Sequence, residues 1–350
     1  MKNLFEIKQV DIDFYEQRIK DFLPDKIIDT HSHIFLDSLM DYGNDRADRI
    51  KAWPLMVAGE NSIEDLVEGY RLFFPDKEIM PIFCPGNVRS RSSIGRLNQY
   101  CKSCAEEYEY PYLALLNPDW SGKQVESATK NSNCMGAKVY LTFAPDYIPT
   151  EEIRIFDFLP HHQLEVLNSN GLAALLHIAR TKRLRDPLNI AQLLEIEKRY
   201  PDVKLIVAHA GRAYCKEDVG NAFEVLKKTK NMVFDLAANT NAEVFEMLID
   251  AVGPGRILFG SDEPVSRMRM KRICENGKYI NLIAKEAYGD VSNERHMREV
   301  PKEESDKFTF FIYEIIDAFR RAAEKTGLTD NDIEDVFYNN ALRMINQIRQ

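Results

Sequence analysis

No apolar stretch of this 350-residue chain is long enough to cross a bilayer, and its mean hydropathy is −0.37, which together argue against a membrane protein. A secretory leader is not expected either. The first residues, Met1-Lys2-Asn3-Leu4-Phe5-Glu6-Ile7-Lys8, are interrupted by charge before an apolar region forms, so a cytoplasmic location is expected. Positive charge is in deficit: 46 Lys and Arg stand against 55 Asp and Glu, a net charge of −9 that disfavours a nucleic-acid surface but leaves room for local cationic pockets. Cysteine is sparse. The six residues Cys84, Cys101, Cys104, Cys134, Cys215 and Cys274 are scattered through a chain too long to need disulfide staples, and reduced thiols are the expectation. Cys101-Lys102-Ser103-Cys104 has the spacing of a zinc or redox pair, but no second pair accompanies it and its stretch is helical and charged, so it reads as structural. A glycine-rich turn after the first strand-like segment is also lacking. Thr30-His31-Ser32-His33-Ile34-Phe35 stands there instead, which removes a dinucleotide-binding reading.

What the chain does contain is a recurrence of short apolar runs with helical or loop material between them, the signature of βαβ units. Eight such runs are read as strands: Lys26 to Thr30, Ile79 to Cys84, Tyr112 to Leu116, Ala137 to Leu141, Leu172 to His177, Lys204 to His209, Met232 to Leu236 and Arg256 to Gly260. Asn170-Gly171 suits a helix end before the fifth, and Pro201-Asp202 stops a helix over Ala191 to Tyr200 before the sixth. Eight strands with crossovers favour an α/β protein with a closed (β/α)8 TIM barrel over an open sheet. One domain over 1–350 is expected, with barrel strands within about 26–262 and closing helices over about 308–348. Two connections are long. Residues 36–78, with Trp53 and Tyr70, suit a cover for the barrel mouth; residues 263–307, with Arg267, Arg269, Lys271 and Arg272, suit a binding loop or a solvated insertion.

Chemistry concentrates at the ends of these runs. His31-Ser32-His33 follows the first strand, His177 ends the fifth, His209 ends the sixth, and Asp262 follows the eighth. Residues two apart on a strand face one way, which predicts that Asp29, His31 and His33 project together. A lone histidine at a strand end is usually a hydrogen-bonded core or surface residue. Four at one rim with an aspartate would leave large desolvation costs without a metal, and imidazole with carboxylate is what a borderline divalent cation such as zinc accepts.

On these residues the chain resembles the amidohydrolase superfamily, in its amidohydrolase-related branch of metal-dependent barrels. The motifs are Asp29-Thr30-His31-Ser32-His33, Gly136-Ala137-Lys138, His177, His209-Ala210-Gly211, Arg256-Ile257-Leu258-Phe259-Gly260-Ser261-Asp262-Glu263-Pro264 and, near the end, Tyr338-Asn339-Asn340-Ala341-Leu342-Arg343. The resemblance implies that His31, His33, His177 and Asp262 hold one divalent ion, zinc or else manganese. Asp262 would accept a proton from metal-activated water, and His209 would serve as acid, base or transition-state stabiliser. Asp29 is read as a partner that orients an imidazole. Some members carry a carbamylated lysine on the fourth strand that bridges two metals, so Lys138 is either that bridge, with His209 then a ligand, or a contact for a substrate anion or a buried ion-pair partner. Tyr140 would share its face. Arg180 and Arg212, three residues after His177 and His209, are placed to grip a substrate carboxylate or to form rim salt bridges. Glu263 departs from the family pattern, where an apolar or aromatic residue is usual. The reaction implied is hydrolysis of an amide, ester or lactone in a small carboxylate-bearing substrate. Non-oxidative decarboxylation of an unsaturated or aromatic acid is the alternative, since the branch contains both chemistries, and a non-catalytic barrel is the third reading. A small-molecule substrate is the expected partner, and a homodimer is one assembly left open.

Overall fold

The computed structural model describes residues 4–41, 56–86, 88 and 90–349. Eight strands form one parallel sheet in chain order: β1 (Lys26–Ile34), β2 (Glu78–Pro85), β3 (Tyr112–Leu115), β4 (Cys134–Val139), β5 (Ala173–Leu176), β6 (Lys204–Val207), β7 (Val233–Asp235) and β8 (Ile257–Leu258). The ring is completed between β8 and β1, where Thr30 N–H donates to Phe259 O at 3.0 Å, Asp262 N–H to His31 O at 2.7 Å and His33 N–H to Glu263 O at 2.9 Å. This is the expected (β/α)8 barrel. Every predicted strand is present, most of them shorter than their apolar run because the last residue turns out of the sheet to line the rim.

Alternation along the strands builds two apolar layers. Ile28, Ile82, Leu113, Met135, Leu175, Ile206 and Leu258 fill the interior, where Ala341, Met344 and Ile345 of the helix Asn340–Ile348 pack against them. Ile27, Phe83, Tyr112, Ala137, Val207 and Phe234 face the other way, into the layer shared with the surrounding helices. Each large side chain so buried contributes about 1.5–3 kcal/mol. Gly136 lets β4 lie flush on β5: a Cβ there would stand 2.0 Å from Ala173 O.

The pairing of β1 with β2 shifts between Asp29 and Ser32, so β1 carries a bulge where its histidines begin. Ile28 belongs to the interior layer, Ile27 and Ile34 to the outer one, and His33 lies between Ile34 and the bulge. The extra residue therefore reverses the parity. His31 and His33 share the interior face with Ile28, while Asp29 points outward with Ile27, which corrects the prediction that all three project together.

The 263–307 insertion is itself structured, which its charged sequence did not announce. β9 (Met270–Glu275) and β10 (Lys278–Ala284) pair antiparallel, and β11 (Met297–Val300) adds to β10 in parallel. Arg269, just before β9, forks onto both oxygens of Asp11 at 2.6 Å and so ties the insertion to the chain's first helix, Gln9–Phe14. Cys274 of β9 is disulfide-bonded to Cys215, their Cα atoms 5.9 Å apart, against the expectation that all thiols are reduced. The other four cysteines are buried; Cys101 and Cys104 lie on the core face of the helix Ile94–Tyr108. Of the proposed mouth cover, Trp53 falls outside the described residues, and Tyr70 lies on the helix Ile63–Phe73 beside β1. Among the described residues no helix is long and apolar enough to cross a membrane.

Candidate metal centre

The carboxyl ends of β1, β5, β6, β7 and β8 deliver one polar cluster into an otherwise apolar barrel. His31 Nδ1 is 2.9 Å from Asp235 Oδ2, and His209 Nδ1 donates to Ala237 O at 2.8 Å. Both bonds occupy the Nδ1 side of the ring, so the Nε2 lone pairs of His31 and His209 point to the centre. His177 Nε2 lies 2.7 Å from His209 Nε2. Asp262 Oδ1 is 3.2 Å from His33 Nε2 and 3.6 Å from His31 Nε2. The approach is close because Gly260 allows it; a Cβ there would sit 2.9 Å from the Cβ of His31. His209, Ala210, Arg212, Ala238 and Asp262 all adopt positive φ, a concentration of backbone strain at one rim of the kind that functional sites hold.

Burial sets the charge states. It drives the imidazoles of His31 and His177 far below their ordinary range and His209 down to about 4, so these three are neutral near pH 7. Burial alone would raise the Asp262 carboxyl, but the hydrogen bond from His33 and the neighbouring cations outweigh it, and the group is held low and ionised. His33 is the exception. Burial would lower it, yet the Cys84 sulfur at 3.1 Å and the Asp262 carboxylate prevail and raise it to about 9. Lys138 is fully buried, with Nζ 3.1 Å from His31 Nε2 and 3.3 Å from His177 Nε2, and burial lowers its pKa.

The donor set fits a divalent cation: the neutral imidazoles of His31, His177 and His209, the imidazole of His33 once it gives up its proton, and an ionised carboxylate, with donor atoms in two groups whose members lie within 4.8 Å of one another. One group is His31, His33 and Asp262; the other is His31, His177 and His209. The structure thus gathers the four predicted ligands His31, His33, His177 and Asp262 together with His209, dividing them into two triads that share His31, with the Lys138 amine against His31 and His177.

Asp29 orients no imidazole, contrary to expectation. Its carboxylate accepts the backbone N–H of His31 at 3.0 Å and of Ser261 at 2.9 Å, and the Tyr70 hydroxyl at 2.7 Å, so it fixes the β1–β8 seam. Asp235 holds His31 instead, and its second oxygen accepts the His209 backbone N–H at 2.6 Å. Its signal was legible: an acid that interrupts the apolar run Met232-Val233-Phe234-Asp235-Leu236 near its carboxyl end. Tyr140 stands beside the cluster, its ring centroid 6.0 Å from that of His177 and 5.2 Å from Lys138 Nζ, with its hydroxyl on Pro85 O. Arg180 is engaged on the rim, 3.0 Å from Asp186 and 3.7 Å from Glu152. Arg212 is different: its guanidinium donates to Ile178 O at 3.0 Å, and no carboxylate among the described residues lies within salt-bridge distance of it.

Imidazoles and an aspartate gathered at the carboxyl rim make this a (β/α)8 barrel with a candidate metal centre. Residues 113–346 match the amidohydrolase family model, and the chain belongs to that family. No curated protein matches it in sequence. Among solved structures it is similar to an amidohydrolase of Burkholderia multivorans with bound zinc, at 15% identity over 91% of this chain and 99% of that one, with a TM-score of 0.55. It is also similar to 4-oxalomesaconate hydratase from Rhodopseudomonas palustris (16% identity, 92% and 96% coverage, TM-score 0.56) and to 5-carboxyvanillate decarboxylase from Sphingomonas paucimobilis (12%, 92% and 99%, 0.55). At these identities the likeness is one of fold.

Proposed function

We propose that this amidohydrolase is a metal-dependent hydrolase of an amide, ester or lactone bond in a small, carboxylate-bearing substrate. The observation that carries the reading is the gathering at the barrel mouth of two donor triads that share His31, one of His31, His33 and Asp262 and the other of His31, His177 and His209. A divalent ion held there, zinc for preference, supplies Lewis acidity that polarises a carbonyl and acidifies water.

The chain's own groups then have separate tasks. Asp262, kept ionised beside His33, accepts the proton of the attacking water at its carboxylate oxygen. His209, its Nδ1–H fixed on Ala237 O, presents Nε2 as an acceptor that holds a proton in transit to the leaving group. Asp235 keeps His31 and the His209 backbone in register. Arg212, partly buried and within electrostatic range of His177 and His209, is the cation suited to a substrate carboxylate, whereas Arg180 is committed to the rim. Lys138 and Tyr140 bound the cluster on the β4 side and contact the substrate. A single ion is proposed, with Lys138 uncarbamylated.

A carboxy-lyase would use the same donors and deliver the proton to carbon, and two of the structural relatives are named for non-hydrolytic chemistry on carboxylated substrates. The test is a panel of lactones, esters, amides and unsaturated or aromatic acids offered to zinc-loaded protein, with product mass and carbon dioxide both recorded. Uptake of water into the product supports hydrolysis. Carbon dioxide without hydrolysis overturns it in favour of decarboxylation.

A further inference from the structure

Two of the clustered imidazoles are held from behind by oxygen. His31 Nδ1 meets the Asp235 carboxylate and His209 Nδ1–H donates to Ala237 O, so in both rings Nε2 is left for the centre. For His33 the corresponding neighbour is a sulfur. Cys84 Sγ lies 3.1 Å from His33 Nδ1, while Nε2 of the same ring faces Asp262 Oδ1 at 3.2 Å.

The strand pairing puts the sulfur there. β1 and β2 run parallel with His33 beside Cys84 and Ser32 beside Phe83. Phe83 faces the surrounding helices, so Cys84, the next residue, turns into the barrel interior, where it is fully buried. The chain stays close beyond it: a Cβ on Gly86 would stand 2.7 Å from the Cβ of His33. Cys84 belongs to neither donor triad. Its hydrogen bonds close with a neutral thiol, since S–H donates to Ser32 O at 3.5 Å and the sulfur lone pairs remain to accept Nδ1–H of His33. Any small apolar residue would fill the same space, but it would leave a buried ring nitrogen without a partner.

We infer that Cys84 is the positioning residue of His33: its sulfur keeps the ring hydrogen on Nδ1 and turns Nε2 toward Asp262 and the ion that the two would share, as Asp235 does for His31. The inference rests on the metal centre proposed above, with His33 among its ligands.

The test loads wild type, Cys84→Ser and Cys84→Ala with cobalt(II) and measures cobalt affinity by competition with a chelator, the absorption spectrum, and the thermal midpoint of the metal-free protein. Loss of the partner of a ligating imidazole typically costs about ten- to a hundredfold in metal affinity, and Cys84→Ala should bind cobalt more weakly by that factor. Cys84→Ser, whose hydroxyl can accept from Nδ1–H and donate to Ser32 O, should recover most of the loss even where it lowers the thermal midpoint. A sulfur that only fills space predicts the reverse order, because alanine suits an apolar layer better than serine. Nitrogen NMR of zinc-loaded wild type, which needs no variant to fold, should show the His33 ring with its hydrogen on Nδ1. Equal cobalt affinity in Cys84→Ala and wild type, a Cys84→Ser variant no better than Cys84→Ala, or a ring hydrogen on Nε2 would overturn the assignment. A sulfur-to-cobalt charge-transfer band would overturn it too, by making Cys84 a ligand. Absence of cobalt uptake by wild type would overturn the metal centre and the assignment with it, whereas tight uptake shared by all three proteins would overturn the assignment alone.

Discussion

Asp29 and Asp235 are both fully buried carboxylates set in apolar strand segments, yet they serve different neighbours. Burial raises both, Asp29 to about 6 and Asp235 to about 7, and each is held by backbone N–H groups; only Asp235 reaches an imidazole. The difference comes from one inserted residue in β1, which no residue pattern marks, since Thr30-His31-Ser32-His33 alternates as well with a bulge as without one. The ligand candidates themselves were legible because four histidines and an aspartate recur at the carboxyl ends of apolar strands, an accumulation that lone hydrogen-bonded histidines do not account for. His33 gives the sharpest test at this scale. Its folded pKa of about 9 means that it carries a proton at pH 7.5, while His31, His177 and His209 do not. A metal ligand must be neutral, so zinc binding below pH 9 has to expel that proton; affinity should rise about tenfold per pH unit up to pH 9 and then level off. Calorimetry at pH 7.5 in buffers of different ionisation enthalpy should show about one proton released per ion. Zero release would remove His33 from the ligand set.

The eight barrel strands were readable because each is a short apolar run between turn signals, buried on both faces and so nearly free of polar interruption. The insertion was not, because β9 shows only one face to the core. Lys271, Arg272, Ile273, Cys274 and Glu275 all remain at least partly exposed, without strict alternation, and such a sequence is as compatible with a solvated loop. Its position depends on contacts far away in sequence: Arg269 on Asp11, Arg272 at Ala238, and Cys274 on Cys215, 59 residues apart. The scattered cysteines gave no framework from which that pairing could be deduced. Removing the bridge with Cys215→Ser plus Cys274→Ser should cost about 2–4 kcal/mol in denaturant unfolding, because the open chain regains the freedom of a long loop. Amide exchange over residues 270–284 should quicken while the barrel strands keep their protection. Unaltered stability and exchange would mean that the other anchors hold the insertion without the disulfide.

In the whole molecule, fold and site were legible to different depths. Strand order, right-handed crossovers and the rim position of chemistry follow from general rules once eight strands are counted, and the helix Asn340–Ile348 packs its apolar stripe against the barrel interior. Which polar residues meet across the barrel does not follow from those rules. The pairing of Arg183 with Arg272 through two tyrosines, and the commitment of Arg180 to Asp186, depend on how individual loops turn after each strand. The four ligand candidates and His209 gather in two triads that share His31, and a bound ion is what that gathering most directly implies. Elemental analysis of protein purified without chelators is therefore the decisive measurement, made on wild type and on a His31→Ala plus His33→Ala variant that remains folded by circular dichroism. The expected result is about one divalent ion per chain in wild type and none in the variant; the same metal content in both would contradict a metal centre built on His31 and His33.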